Sequence, residues 1–325
     1  MTKIYTLTPN PALDLSGHVS RIVPNEKNYV TRARLDPGGN AINAARIAKR
    51  LGASPLLLGF AGGGTGTQLR ALLSKEGLRH QFTAIREATR TNVTVTNDQD
   101  HEQTRLTFPG PKVSPKEIRS LRASIARFKA PGIFVLGGSA PNDCSHRFYP
   151  DLIASASKHA LGVIVDVPSV YLKTILNARS VKFLLLKPNQ TELEELLGRK
   201  FRSDKAIADA ALKLTEKSAI VCVSLANRGA VFAANGETWF ARAPRVKARG
   251  TVGAGDSMVG AMATRLAHWG LSHPDLFGHA TTEKLLDIFR WGLAAGAATA
   301  TTEGTKLGEL ALIRRLCTKV LFRKP

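Results

Sequence analysis

Cysteine is scarce in this 325-residue chain: Cys144, Cys222 and Cys317 are odd in number, far apart, and lack His or Cys neighbours at metal-binding spacing. That argues against a disulfide framework or a zinc site and predicts buried thiols in a reducing compartment. Long apolar runs are missing too. No stretch approaches the roughly 18 residues needed to cross a bilayer. The opening "MTKIYTLTPNPALD" lacks the basic flank and apolar core of a secretory signal. The expectation is a soluble, cytoplasmic protein with no membrane attachment. Aromatic residues make up only 6 % of the chain, too few for an evident base-stacking platform, and no zinc-finger, RRM or basic-zipper pattern is present. Acidic residues number 25 against 46 basic ones, for a net charge of +21. Such an excess points to a nucleic-acid partner or to polyanionic substrates. The denser basic patches are Lys112, Lys116, Arg119, Arg122, Arg127 and Lys129, and Arg314, Arg315, Lys319, Arg323 and Lys324 near the end of the chain. Both read first as solvated helix faces, so nucleic acid is the weaker expectation.

What is present is an alternation of short, apolar, β-rich runs with helical patterns. The runs are 4–9, 55–60, 133–138, 163–167, 182–187 and 219–225. They are almost continuously apolar, as strands of a parallel sheet buried on both faces must be. Helical patterns cover 40–52, 67–77, 114–128, 191–198 and 204–217, then 253–268, about 280–301 and 307–321. The prediction is an α/β fold: a doubly wound, mainly parallel sheet between helix layers, forming one domain over residues 1–325. Residues 15–35 and 79–108 break the rhythm by alternating polar with apolar, which means a sheet with one wet face. These two insertions are predicted to combine into a small β-sheet lid over the strand ends.

No G-x-x-x-x-G-K-[ST] phosphate loop and no complete G-x-G-x-x-G occurs; "GFAGGGTGT" (59–67) comes nearest. Instead "GTVGAGDSMVGAM" (250–262) places Gly253, Ala254, Gly255 and Asp256 at the start of a helical pattern. A helix start offers unpaired N–H donors and a partial positive charge to an anion. A carboxylate there is a poor phosphate ligand but a good acceptor for the proton of an attacking alcohol. Both together suit phosphoryl transfer. Taken alone, Asp256 also fits a simple helix N-cap.

Together with "PGGNAINAARIAKRLG" (37–52) and "LKPNQTELEELLG" (186–198), the loop resembles motifs of the ribokinase-like (PfkB) sugar kinase family, within its phosphofructokinase branch. "TLTPNPALD" at the front and "VSLANRGAVF" (223–232) before the loop extend the likeness over nearly the whole chain. The resemblance implies that Asp256 is the catalytic base and Gly253 to Gly255 the anion hole. It implies that Asp14 grips sugar hydroxyls, that Gly38, Gly39 and Asn43 form the sugar-recognition turn, and that Lys27, Arg90 and Ser139 bind the phosphate already on the sugar. Asn189 and Glu192 would organise Mg²⁺ through water, with Lys187 reaching phosphate. Ser224 and Gly229 would lie under the nucleotide, and Ala294, Gly296 and Ala298 would leave room for adenine. On local pattern alone, Asn189 and Glu192 equally fit an N-cap and its capping-box acid. Departures from the family pattern are Asn40 after the glycine pair, Asn142 and Asp143 in "GGSAPND", and "DVPSVYL" (166–172). The implied activity is ATP-dependent, Mg²⁺-assisted phosphorylation of fructose 6-phosphate to fructose 1,6-bisphosphate. Alternatives are a 1-phosphofructokinase, a tagatose-6-phosphate kinase, or a nucleic-acid-binding or regulatory protein on a kinase scaffold. Pairing of two lids would make a homodimer.

Overall fold

The computed structural model describes residues 2–128, 131–159, 161–177 and 182–325; Lys129 lies outside them. The chain opens with β1 (Lys3–Thr8), β2 (Ala12–Val19), β3 (Thr31–Gly38), α1 (Asn40–Arg50), β4 (Leu56–Ala61), α2 (Gly63–Lys75) and β5 (Arg79–Ala84). It continues through β6 (Arg90–Asn97), β7 (Gln103–Leu106), α3 (Pro115–Ile125), β8 (Gly132–Gly137), α4 (Phe148–Ser157), β9 (Gly162–Asp166), α5 (Ser169–Asn177) and β10 (Phe183–Leu186). The rest is α6 (Gln190–Leu197), α7 (Asp204–Leu214), β11 (Ser218–Ser224), β12 (Ala230–Ala234), β13 (Glu237–Ala241), α8 (Ala254–His268), α9 (Thr282–Ala300), α10 (Leu310–Cys317) and β14 (Phe322–Arg323).

The large sheet runs β14-β13-β12-β11-β10-β9-β8-β1-β4-β5, and every pairing from β11 to β5 is parallel. Alternation along its strands feeds two cores. In β8, Ile133 and Val135 join a cluster with residues of α1, α8 and α9, whereas Phe134 and Leu136 join one with residues of α3, α4 and α7. Each expected apolar run matches an observed strand to within two residues.

The small sheet runs β3-β2-β6-β7, and its β2–β6 pairing is parallel from Ala12↔Arg90 to Val19↔Asn97. One boundary needs correction. Residues 79–84 fall inside the expected second lid segment, yet they form β5 and pair with β4 at the edge of the large sheet. Their alternation reflects an edge strand with one wet face, which looks the same in sequence as a strand of a separate small sheet. The hairpin of β12 and β13 and the helices α4 and α5 extend the expected list. That hairpin turns at Asn235 and Gly236, both at positive φ (50° and 77°), the geometry that favours Asn-Gly.

The two basic patches are exposed at every described position. Cys222 and Cys317 are buried as expected, and burial pushes both thiols up to about 12. Cys144 is only half-buried. No helix among the described residues is long and apolar enough to cross a membrane.

Glycines let the helices on one face approach closely. A Cβ on Gly260 of α8 would lie 2.3 Å from the carbonyl oxygen of Ala44 in α1. On the other side of α8, Met258 and Met262 fill the space over Gly296 and Gly292 of α9. Because the obstacle at Gly260 is backbone, a side chain there must push the helices apart. Gly260→Val is expected to lower stability by about 1–3 kcal/mol through overpacking, read as a lower urea midpoint at unchanged m-value.

Candidate active site

A cleft of about 1250 Å³ opens along the C-terminal ends of the parallel strands, the end at which open α/β sheets hold ligands. Its floor is the start of α8. Gly253, at φ 74°, is the N-cap, and the first i→i+4 bond runs from the Ser257 amide to the Gly253 carbonyl at 2.8 Å. The amides of Gly255 and Asp256 therefore precede the helical ladder and face the cleft end of the helix dipole. A Cβ on Gly255 would lie 3.3 Å from Lys187 Nζ, so the glycine lets the ammonium sit beside these amides.

Asp256 lies one residue on. Burial, followed by the nearby charge of Asp166, raises its pKa to about 7, while a hydrogen bond from Asn43 opposes the rise. That bond is 2.9 Å, from Asn43 Nδ2 to Asp256 Oδ2. Asn43 thus orients the carboxyl from the first turn of α1, where its backbone amide donates to the Gly39 carbonyl at 2.9 Å.

Lys187 follows β10 and is buried; its Nζ pairs with Asp166 Oδ1 at 3.0 Å. Burial alone would lower the Lys187 pKa, but the Asp166 carboxylate outweighs it and the net shift is upward. Asp166 was missing from the expected site. Its signal was a carboxylate ending the apolar run "VIVD", where a parallel sheet presents side chains to ligand.

Asn189 and Glu192 at the head of α6 form a full capping box: Asn189 Oδ1 accepts from the Glu192 amide at 2.9 Å, and Glu192 Oε2 from the Asn189 amide at 2.8 Å. The local reading therefore holds, and one Glu192 oxygen is left for the cleft. Burial raises the Glu192 pKa, opposed by the Asn189 amide and Lys187. Among the described residues no three His, Cys, Asp or Glu gather as a ligand cage. Asp166 and Glu192 both line the cleft, each with one oxygen outside the bonds described. Such a sparse, all-oxygen set suits a hydrated Mg²⁺ carried on substrate phosphates.

On the wall opposite, Ser224 ends β11 and lines the cleft. Gly229 (φ 125°) has no room for a side chain: its Cβ would meet the Ala241 carbonyl oxygen at 2.0 Å. From α9 the cleft is lined by Leu293, Gly296, Ala297 and Ala300. Ala294 and Ala298 do not line the cleft. They share the helix but are fully buried in the core, because a step of one residue turns the side chain by about 100°.

Most of the residues expected to contact the sugar gather where the small sheet meets the large one. Asp14 accepts from Asn92 Nδ2 at 3.0 Å, and burial raises its pKa despite that bond. A Cβ on Gly38 would fall 2.2 Å from Asp14 Oδ2, which explains the first glycine of the pair. The second, Gly39, turns the chain into α1 at φ 131°. Arg90 donates to the carbonyls of Asn10 at 3.1 Å and Phe108 at 3.2 Å. Asn10 Nδ2 in turn reaches Ser139 Oγ at 3.2 Å and the Ala140 carbonyl at 3.1 Å. Arg90 and Ser139 are thus joined through Asn10, a buried residue that nothing in the local pattern singled out. Lys27 stands apart. It is exposed in the β2–β3 connection and, among the described residues, makes no hydrogen bond or ion pair. Of the departures, Asn40 lines the cleft as the first residue of α1, and Asp143 (φ 56°) pairs with Lys112 at 2.7 Å.

Removing the charge from Asp166 strands a buried ammonium. Asp166→Asn is expected to cost about 3–5 kcal/mol of stability, measured by chemical denaturation at neutral pH. A loss within about 0.5 kcal/mol would mean that the pair is effectively solvated.

The profile described as pfkB family carbohydrate kinase matches residues 10–311. The chain is 34 % identical over 309 residues to the ATP-dependent 6-phosphofructokinase isozyme 2 of Escherichia coli K12, covering 94 % of this chain and 95 % of the relative. It is 30 % identical over 318 residues to the 1-phosphofructokinase of Bacillus subtilis 168, covering 98 % of both chains. The crystal structure of E. coli phosphofructokinase-2 in complex with substrates and products superposes with a TM-score of 0.89 at 32 % identity, covering 98 % of this chain and 99 % of that one. A profile spanning the sheet, the cleft and the small sheet, with relatives matched almost end to end, places this chain in the pfkB family of carbohydrate kinases.

Proposed function

We propose that this enzyme transfers the γ-phosphoryl group of ATP to a sugar phosphate, with fructose 6-phosphate as the acceptor and fructose 1,6-bisphosphate as the product. The observation that carries the reading is the Asp256 carboxyl, held by Asn43 at a helix start whose amides face the same cleft as Lys187. Asp256 takes the proton of the attacking hydroxyl. The amides of Gly255 and Asp256 and the Lys187 ammonium stabilise charge on the transferring group. Asp14 and the Gly38–Gly39 turn hold the sugar. Arg90 and Ser139, braced by Asn10, hold its phosphate, and Lys27 completes that grip when the small sheet closes. Gripping the remote phosphate orients the reacting hydroxyl, a large source of rate. Ser224, Gly229 and the α9 face at Gly296 and Ala297 receive the nucleotide. Mg²⁺ bound with ATP would neutralise phosphate charge, and the water-mediated donors available to it are Glu192, Asp166 and, with its cap kept, Asn189.

The 1-phosphofructokinase relative, matched over almost its full length, supports a second reading in which fructose 1-phosphate is the acceptor. A coupled assay with Mg·ATP over fructose 6-phosphate, fructose 1-phosphate and tagatose 6-phosphate decides. The highest kcat/KM is expected on fructose 6-phosphate, and a preference of about tenfold or more for another sugar removes the assignment.

The raised Asp256 pKa has two consequences with opposite signs. The base works only when ionised, so kcat/KM is expected to fall below a pH near 7. Stability runs the other way. Between the ordinary 3.8 and about 7 the folded protein keeps a proton that the unfolded chain has lost, so this contribution is full below the lower value and gone above the upper. Asp256→Asn is therefore expected to lower kcat roughly 10²–10⁴-fold. It should also raise the melting temperature above pH 7 but not at pH 4. An active variant would remove the base assignment.

A homodimer through the small sheet is part of the same proposal. Leu15, Tyr29, Val30, Leu106 and Phe108 on or beside that sheet are exposed, Tyr29 to 79 %. Exposed large apolar residues collected on one small sheet favour an interface there. Sedimentation is expected to give twice the 35.0 kDa chain mass; a monomer at micromolar concentration would remove the dimer.

A further inference from the structure

The connection between α9 and α10, residues 301–309, touches the small sheet at one end and both flanks of Asp256 at the other. On the sheet side the anchor is Asp36 in β3, the cross-strand neighbour of Asp14 and only 3 % exposed. Both of its oxygens are engaged. Oδ1 accepts from Arg34 Nε and Nη2 at 2.9 and 2.6 Å, and Oδ2 accepts the Thr305 hydroxyl at 2.6 Å. Thr305 is itself buried. Beside it, Gly304 lies against Ser16 of β2, at ordinary van der Waals range for an added Cβ.

On the other side the same loop grips the start of α8. Leu307 packs on Gly253 so closely that a Cβ there would meet Leu307 Cδ2 at 2.8 Å. The Gly308 amide donates to Thr299 Oγ1 at 2.9 Å, and Thr299 shares a 2.7 Å hydrogen bond with Ser257, the residue after Asp256. Arg50 Nη1 clamps the Leu307 and Gly308 carbonyls at 2.7 and 2.6 Å. Only one residue separates the Thr305 anchor from Leu307, so the loop has little slack.

From these contacts we infer that Asp36 and Thr305 are positioning residues of the phosphoryl-transfer centre: their hydrogen bond ties the backbone of Gly253 to Asp256 to the sheet that carries Asp14 and Arg90. The inference rests on the role proposed for Asp256 and its loop. A buried carboxylate is a costly way to gain stability alone, since an apolar pair of the same volume often does as well. What it supplies is direction. Its two oxygens are spent on two different elements, the strand that bears it and the α9–α10 loop, so the donor-side amides and the sugar-side sheet are held in one register. A tilt of the small sheet about the β3–α1 turn would then reach the amides through Thr305 and Leu307.

The test compares Thr305→Val, which keeps the shape and removes the hydroxyl, with Thr305→Ser, which restores it. Hydrogen exchange on the full chain without ligands reads the 250–258 segment directly. Thr305→Val is expected to speed exchange there by about tenfold, with the rest of α8 unchanged. On the best sugar phosphate of the wild type, its kcat should fall about tenfold or more with the nucleotide KM within about twofold. Thr305→Ser should return both readouts to near wild type. If Thr305→Val does not fold, Thr305→Ala, which leaves room for a water beside Asp36, takes its place. A variant that melts lower yet keeps wild-type exchange at 250–258 and wild-type kcat well below its transition overturns the inference. Failure of the functional reading is distinct: the wild type would phosphorylate none of the sugars, while the exchange comparison would still stand or fall by itself.

Discussion

The site depends on how closely α1 and α8 cross. With no side chain on Gly260, α8 lies against the Ala44 carbonyl, and at that separation the Asn43 amide, one residue before Ala44, reaches the Asp256 carboxyl. Both helices start at the strand ends, so a backbone contact in the core sets a side-chain distance in the cleft. The large sheet behind them, packed on both faces, keeps that geometry from relaxing.

Charge at the cleft follows from the same packing. Asp166, Asp256 and Glu192 all line the cleft, and the buried ammonium of Lys187 pairs with Asp166 while its charge also acts on the other two. The Asp256 pKa is raised chiefly by burial and then by the nearby Asp166 charge. A carboxyl whose pKa is raised toward neutrality can exchange a proton near neutral pH.

Much of this was legible in the sequence, for identifiable reasons. Parallel strands buried on both faces leave continuous apolar runs, so the six expected strands were placed to within two residues. The "GAGDS" loop was legible as a helix start because glycines run straight into an apolar helical pattern, and α8 does begin at Ala254. Less legible was anything set by pairing across long sequence distances. Asn10 and Asn92 owe their positions to the contacts of Arg90 and the β2–β6 register, which no local spacing encodes. Residues 79–84 alternate as an edge strand does and as a small-sheet strand does, so pattern alone could not assign them. The inward face of α9 at Ala294 and Ala298 differs from the cleft face only by helical phase, and small residues occupy both.

The parallel pairing of β2 with β6 carries a further implication. Seventy residues of chain separate the two strands, yet their pairing sets Ala12 opposite Arg90 and Asp14 opposite Asn92. A slip by a single position would turn Arg90 away from the Asn10 carbonyl and deprive Asp14 of its amide partner, leaving a buried carboxyl and a guanidinium without their bonds. The polar groups assigned to the acceptor therefore also discriminate against misaligned strands, so that a molecule able to hold its ligand is one whose small sheet has assembled in the correct frame.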